Sequence, residues 1–447
     1  MTQPSPLQLK SPDLQLTDEE MLNGLQRETF AYFIKEVDPH TGLIADKTRP
    51  GWPSSIAAVG MGLSCYIAGV ERGFLTREEA VKRTLTVLRF FLNSTQSEEP
   101  DATGYKGFYY HFLDMQTGKR VWNCELSTAD TAILMAGILS VRHYFEGQNK
   151  RETEIREIAD ALYERVDWQW AMNGKGFISH GWKPESGFLR PGWKKGYSEA
   201  HIIYILALGS PTFPIDAQSY KKWTSTFEWK KLYDIDCIYA GPLFIHQMSQ
   251  IWLDFRNVFD DLNKKVGIDY FENSRRATLV QQKYAIENPL GFARYGENSW
   301  GFTASDGPGP GVRIVNGIKR RFYDYKARGA PFGPDDGTIS PWAVVSSLPF
   351  LPDIVLSTIR HATLQRDFEK HHAYGFDASF NATYPDKNNP SLGWISPWQF
   401  GLNQGPVVLM IENYQTELIW SVIKKCPHII KGLKRAGFTG GWLDKIG

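Results

Sequence analysis

Apolar side chains recur along most of this chain at three- and four-residue spacings, the signature of helices that bury one face. The periodicity predicts helices at roughly 18–36, 54–72, 76–94, 126–146, 150–171, 196–208, 215–227, 241–253, 269–287, 338–348, 352–370 and 404–424, with a short one near the C-terminus. Thr17-Asp18-Glu19-Glu20 and Thr76-Arg77-Glu78-Glu79 each offer a hydroxyl cap with acids in the first turn, which marks two of the starts. Alternating strand patterns are scarce, and only Gly107–Leu113 and Phe177–His180 suit short hairpins. The segments 95–125, 172–195, 288–337 and 371–403 read as long loops dense in Gly, Pro and Trp, a kind of loop that usually carries function. The expected fold is all-α: paired helices closing as an (α/α)6 toroid of six inner and six outer helices, with long loops and short β-hairpins around a central cleft. Residues 1–17 read as a polar tail, 18–437 as a single domain and 438–447 as a C-terminal tail.

Two acids break the apolar pattern. Asp130 has Leu126 four residues before it and Ile133 and Leu134 three and four after, so it lies on a buried stripe. Glu199 repeats the arrangement with Ile202, Ile203 and Leu206. A carboxylate aimed into a core loses on the order of several kcal/mol of hydration unless it is paired, protonated or wetted by a cavity, and two of them suggest a cavity that does chemistry. Each has a plainer reading. Glu199 could satisfy amides in a first turn, and Asp130 could bind a Ser or Thr hydroxyl or an Arg to lock two inner helices. The rings of Trp182, Phe188, Trp193 and Tyr197 precede Glu199 and would desolvate it, while a helix N-terminus would pull its pKa the other way. If burial wins, Glu199 is a general acid.

Composition narrows the ligand. Lys plus Arg number 50 against 49 Asp plus Glu, with no long basic block, so nucleic acid is not an expected partner. Aromatic residues make up 14% of the chain and include 15 Trp, suited to the flat apolar faces of pyranose rings. The loop tryptophans Trp52, Trp122, Trp182, Trp193, Trp300, Trp394 and Trp398 therefore read either as loop anchors or as the stacking walls of a cleft. Candidate sugar contacts are Glu125 beside Trp122, His180 beside Trp182 and Trp193, the trio Asn298, Trp300 and Asp306 on the Gly/Pro-rich turn 296–311, and Trp398 and Gln404. That turn lacks the Gly-Lys-Ser/Thr ending of a phosphate loop, and its prolines remove cradling amides. Asp335 and Asp336 read as helix caps, and Glu412 as a buried anchor that hydrogen-bonds loop backbones.

No metal or cofactor is expected. The four cysteines form no CxxC pair, and His371-His372 lacks ligand spacing. No apolar stretch reaches membrane-spanning length. Met1–Leu16 is polar without an apolar leader core, which favours the cytoplasm, with the periplasm open if a leader has been removed.

Several blocks occur together in one order: Glu125-Leu-Ser-Thr-Ala-Asp130-Thr, Gly196-Tyr-Ser-Glu199-Ala with Leu206-Ala-Leu-Gly-Ser-Pro211, Tyr295-Gly-Glu-Asn-Ser-Trp-Gly301, Ala304-Ser-Asp-Gly-Pro-Gly-Pro-Gly311, Gln404-Gly-Pro and Met410-Ile-Glu-Asn-Tyr414. From about residue 18 to 437 the chain resembles the bacterial glycoamylase-like family. The resemblance implies the toroid and an inverting glycoside hydrolase of β-glucans, in a family whose characterised members include endo-β-1,2-glucanases and sophorose-releasing enzymes. It also implies that Glu199 is the general acid and that Glu125 and Asp130 border the sugar site. Asn403 stands where many members carry Asp, and Gln415 where an Arg is common, which leaves the general base open.

The expected function is hydrolysis of a β-linked glucan, with β-1,2-glucan or sophoro-oligosaccharides favoured, by a monomer acting on oligo- or polysaccharide. Glu199 would protonate the departing oxygen, and Asp130 leads the candidates for activating water. A non-catalytic carbohydrate-binding protein on the same scaffold is the alternative that Asn403 keeps open. A sugar epimerase or lyase is a third, with no Tyr/His pair or metal site to mark it.

Overall fold

Capping chemistry sets the helix boundaries. A computed structural model describes residues 16–365, 373–390 and 393–446; His371-His372 and most of the N-terminal tail lie outside the described residues. The principal helices are α1 (Asp18–Phe30), α2 (Ile56–Glu71), α3 (Arg77–Asn93), α4 (Thr128–Tyr144), α5 (Lys150–Glu164), α6 (His201–Gly209), α7 (Ala217–Thr224), α8 (Phe244–Gln247, continued as a 3-10 turn over Met248–Ile251), α9 (Tyr270–Glu287), α10 (Pro341–Val345), α11 (Pro352–Gln365), α12 (Gly401–Thr416) and α13 (Pro427–Ala436). Thr17 and Glu20 cap α1 reciprocally: the Glu20 amide donates to Thr17 Oγ1 over 3.2 Å and the Thr17 amide to Glu20 Oε2 over 2.9 Å. Thr76 opens α3 in the same way, taking the Glu79 amide over 3.2 Å.

Two kinds of helix result. α2, α4, α6, α10 and α12 are buried almost all round. α1, α3 and α5 bury one face and leave the other charged. α2 packs against α4 and α12, α4 and α3 each pack on α5, α1 on α12 and α6 on α13. The α2–α4 crossing is close because both helices present glycine: a Cβ on Gly60 would lie 2.4 Å from the Ile133 carbonyl, and one on Gly137 2.1 Å from the Gly60 carbonyl. Among the described residues no helix is long and apolar enough to cross a membrane.

Several boundaries depart from the periodicity. The apolar run expected as 404–424 divides because Glu417 adopts φ +60, ending α12 before Leu418–Ile423 resumes. The helix expected from 196 begins only at His201. Residues 438–446 are no free tail: Phe438 and Leu443 are buried, Thr439 pairs with Phe259, and the Trp442 indole donates to the Asp254 carbonyl over 2.8 Å. Asp335 and Asp336 cap no helix, since α10 starts after Ser340. Asp336 instead forms a fully buried ion pair with Arg328, Nε to Oδ1 2.6 Å, and Asp335 accepts the Tyr284 and Tyr295 hydroxyls. Glu412 is a buried anchor, but its partners are side chains rather than loop backbones: Arg72 at 2.6 Å, Gln26 at 2.9 Å and Thr416 at 2.7 Å.

Strands are short. Phe108–Tyr109 pairs with Gly104–Tyr105, and Phe112–Leu113 pairs with Ser54–Ser55 at the entrance of α2. Leu126–Ser127 pairs with Gly181–Lys183, which pairs with Gly187–Phe188, so the expected 177–180 strand lies a few residues later. The loop 288–337 contains an unexpected hairpin, Gly311–Val315 against Ile318–Phe322.

Candidate active site

The chain enters α4 from a strand, and that entry builds the first half of the site. Ser127 is the N-cap; its hydroxyl takes the Asp130 amide over 3.2 Å and donates in return to the Asp130 carboxylate. The other Asp130 oxygen faces His111 Nε2 at 3.7 Å, while His111 Nδ1 lies 3.1 Å from Glu125 Oε1. The imidazole thus stands between two carboxylates, stacked on Phe112 with centroids 3.9 Å apart. Burial works to lower the His111 pKa, but Asp130, Glu125 and Asp46 overcome it and lift it to about 9, so His111 is an imidazolium at neutral pH. Burial pushes the Glu125 carboxyl up, and hydrogen bonding and charge from His111 outweigh it, leaving a net lowering.

Glu199 occupies the turn just ahead of α6 and not the helix itself. Ser249 fixes this turn, donating to the Glu199 carbonyl over 2.6 Å and accepting the Ile202 amide over 3.1 Å. Burial raises the Glu199 pKa to about 7; a backbone hydrogen bond opposes this and the Asp130 charge adds to it. The contest left open by the sequence is settled in favour of burial.

A cavity of about 610 Å³ opens at His111, with neither Asp130 nor Glu199 on its lining. Its wall carries Asp46, His111, Asp306, Tyr325 and Asn403, together with the rings of Trp52, Trp122 and Trp398. Burial raises Asp46 to about 6 against the pull of His111 and Lys47, and its Oδ2 accepts the Trp52 indole N–H over 3.1 Å. Asp306 is also raised by burial, with Lys47 opposing. Tyr325 is 59% exposed as a residue, and desolvation of its hydroxyl, then the charges of Asp46, Asp306, Asp130 and Glu199, raise its pKa. Tyr325, itself on the cavity wall, therefore lies within electrostatic reach of Asp130 and Glu199. Lys47 and Arg49 sit over the Trp52 ring at 4.3 and 4.6 Å. Among the described residues no three His, Cys, Asp or Glu side chains converge as metal ligands would.

The structure sorts the expected sugar contacts. Trp122, Asp306 and Trp398 lie on the wall, and Glu125 joins it through His111. His180 lies tilted against Trp193, with ring centroids 4.1 Å apart, and feels the Glu125 charge, with burial lowering its pKa; the Trp193 indole N–H donates to Thr128 Oγ1 over 3.0 Å. Four others are corrected. Trp182 packs against Tyr105 and Trp170 and serves as an anchor for the strand beside Leu126. Trp300 is wholly buried and donates to Thr358 of α11 over 3.2 Å. Asn298 accepts the Ser357 hydroxyl of the same helix. Gln404 is buried and donates to Gln399.

Asp46, His111 and Tyr325 escaped sequence reasoning. A histidine inside the aromatic run Tyr109-Tyr110-His111-Phe112, shortly before Glu125, was the available signal for one of them.

Fold and cavity define a class: helix-rich proteins whose long loops gather acidic and aromatic side chains over the ends of buried helices. The chain belongs to the family whose model, described as "Putative glucoamylase", matches residues 192–427. It is 31% identical to an exo beta-1,2-glucooligosaccharide sophorohydrolase (non-reducing end) of Parabacteroides distasonis, over 94% of this chain and 58% of that protein; the chain thus spans little more than half the length of that relative. A glucoamylase-labelled crystal structure from Bacteroides uniformis superimposes with TM-score 0.83 at 31% identity, covering 97% of this chain and all of that one. An endo-beta-1,2-glucanase from Chitinophaga pinensis, in complex with sophorotriose and glucose, gives TM-score 0.81 at 26% identity, covering 95% and 99%.

Proposed function

We propose that the protein is a glycoside hydrolase of β-linked glucan, with β-1,2-glucan or sophoro-oligosaccharides as substrate, that works by inversion. The observation that carries the reading is Glu199, whose carboxyl pKa is raised by burial to about 7 with the Asp130 charge adding to it, and whose charge reaches Tyr325 on the wall of a tryptophan-lined cavity. A neutral carboxyl at that place donates a proton to a departing glycosidic oxygen. Asp130 is the proposed base, since its carboxylate meets both His111 and the Ser127 hydroxyl and its charge acts on Glu199. His111 acts through the acids as a positioning residue. The names of the sophorohydrolase and the endo-glucanase support the choice of linkage.

A second reading of the base is favoured by one observation: Asp46, not Asp130, lines the cavity, with a pKa near 6. Asp130→Asn and Asp46→Asn separate the two, since only loss of the true base abolishes turnover while glucan binding persists.

The proposed architecture is the six-pair toroid. Its support is the order of helices: one-faced α1, α3, α5, α7, α9 and α11 alternate along the chain with the more deeply buried α2, α4, α6, α8, α10 and α12, and α12 returns to pack on α1 and α2. The activity is tested by incubating the protein with β-1,2-, β-1,3-, β-1,4- and α-linked glucans and separating the products. Shorter saturated sugars from β-linked glucan alone are expected. Intact polymer throughout, with tight binding, would make it a carbohydrate-binding protein, and unsaturated ends would make it a lyase.

A further inference from the structure

Trp52 and Trp122 face two hollows. Besides walling the cavity, they line an open cleft of about 340 Å³ whose other side is formed by Asp114, Met115, Gln116 and Val121. The two indoles meet edge to face with centroids 4.7 Å apart, making a ridge common to both hollows. Trp122 keeps 55% of its surface exposed. It sits at the tip of a turn closed by the Cys124 amide donating to the Val121 carbonyl over 3.1 Å. Both tip residues, Trp122 and Asn123, have positive φ, +57 and +49. A bulky aromatic residue rarely adopts this region, and such strain concentrates at ligand clamps.

The cleft has a definite chemistry. Asp114 is committed to its own turn, its Oδ1 accepting the Gln116 and Thr117 amides and the Thr117 hydroxyl. The exposed amide of Gln116 and the apolar edges of Met115, Val121 and Trp122 remain for a ligand. Among the described residues no cation lines it, which suits a neutral ligand with one apolar face and several hydroxyls.

We propose that this cleft is a second saccharide site continuous with the cavity, so that a β-glucan chain crosses the Trp52–Trp122 ridge and is held on both sides. The proposal rests on the glucan reading and deepens it: substrate length is sensed at the ridge. Sugars that fill only the cavity gain nothing from the cleft, whereas longer ones add the Gln116 contact and the outer face of Trp122.

The test uses the full chain carrying Glu199→Gln to suppress turnover, and isothermal titration with β-1,2-gluco-oligosaccharides of increasing length. Affinity is expected to rise with length past the point where the cavity is full. Gln116→Ala, at an exposed position that folding does not depend on, is expected to remove about two- to tenfold of that gain and to leave the shortest ligand unaffected. Trp122→Ala, which faces both hollows, is expected to weaken every ligand and the longer ones most. Affinity independent of length beyond the cavity, or equal weakening of all lengths by Gln116→Ala, would overturn the second site while leaving the glucan reading intact. No binding at any length would overturn both.

Discussion

A carboxyl group donates a proton only while it keeps one, so hydrolysis is expected to fall as pH rises through the Glu199 value of about 7. The same shift bears on stability. Because the fold favours neutral Glu199, its contribution is complete below the ordinary glutamate range and is lost as pH climbs through about 7. His111 governs the acid side. It faces Glu125 and Asp130 directly and Asp46 at longer range, with Lys183 also acting on Glu125. Removing its charge in His111→Gln releases the Glu125 and Asp46 carboxyls that it pulls down, so the acid limb of kcat/KM is expected to move up while the alkaline limb stays near 7. A uniform loss of activity with both limbs in place would reduce His111 to a packing role. Of these residues Asp130 and Glu199 were legible in the sequence, because an acid on an apolar stripe contradicts its surroundings. Asp46, His111 and Tyr325 were not, since each sits in a loop or strand where a polar residue is unremarkable and joins the candidate site only through distant neighbours.

At the level of elements, helix existence followed from periodicity and helix starts from Thr17 and Thr76, whose caps form as expected. Ends were harder to read. Glu417 breaks an unbroken apolar run by turning left-handed, and nothing in its side chain announces that. The Gly311–Phe322 hairpin was readable and unread: Asn316-Gly317, both at positive φ, is the two-residue turn that joins right-twisted strands. The apolar Phe438, Trp442 and Leu443 likewise contradicted a free tail. Close helix approach gives the prediction proper to this scale. Gly137→Ala places a methyl against the Gly60 carbonyl and is expected to cost about 1–3 kcal/mol in urea unfolding, with the helical circular dichroism of the native state retained. Unchanged stability would mean that α2 and α4 separate without penalty.

Across the whole molecule, the cavity is assembled from segments hundreds of residues apart, Asp46 and Trp52 ahead of α2, Trp122 ahead of α4, Asp306 and Tyr325 from the long loop and Trp398 ahead of α12. The tryptophans alone could not reveal which were walls and which anchors, because that depends on this assembly. One buried ion pair holds the long loop in place: Arg328 binds Asp336 and donates to the Ser305, Tyr323 and Lys326 carbonyls around Asp306 and Tyr325. Asp336→Ala strands the guanidinium and is expected to cost about 3–5 kcal/mol. It is also expected to raise KM through displacement of Tyr325, whereas a stability loss with unchanged KM would detach the loop from the substrate. The most direct test of the central claim is turnover of β-1,2-glucan by Glu199→Gln, with binding measured in parallel. Retained binding with turnover reduced by orders of magnitude is the expected result; hydrolysis close to that of the unsubstituted protein would remove Glu199 from the acid role and the mechanism with it.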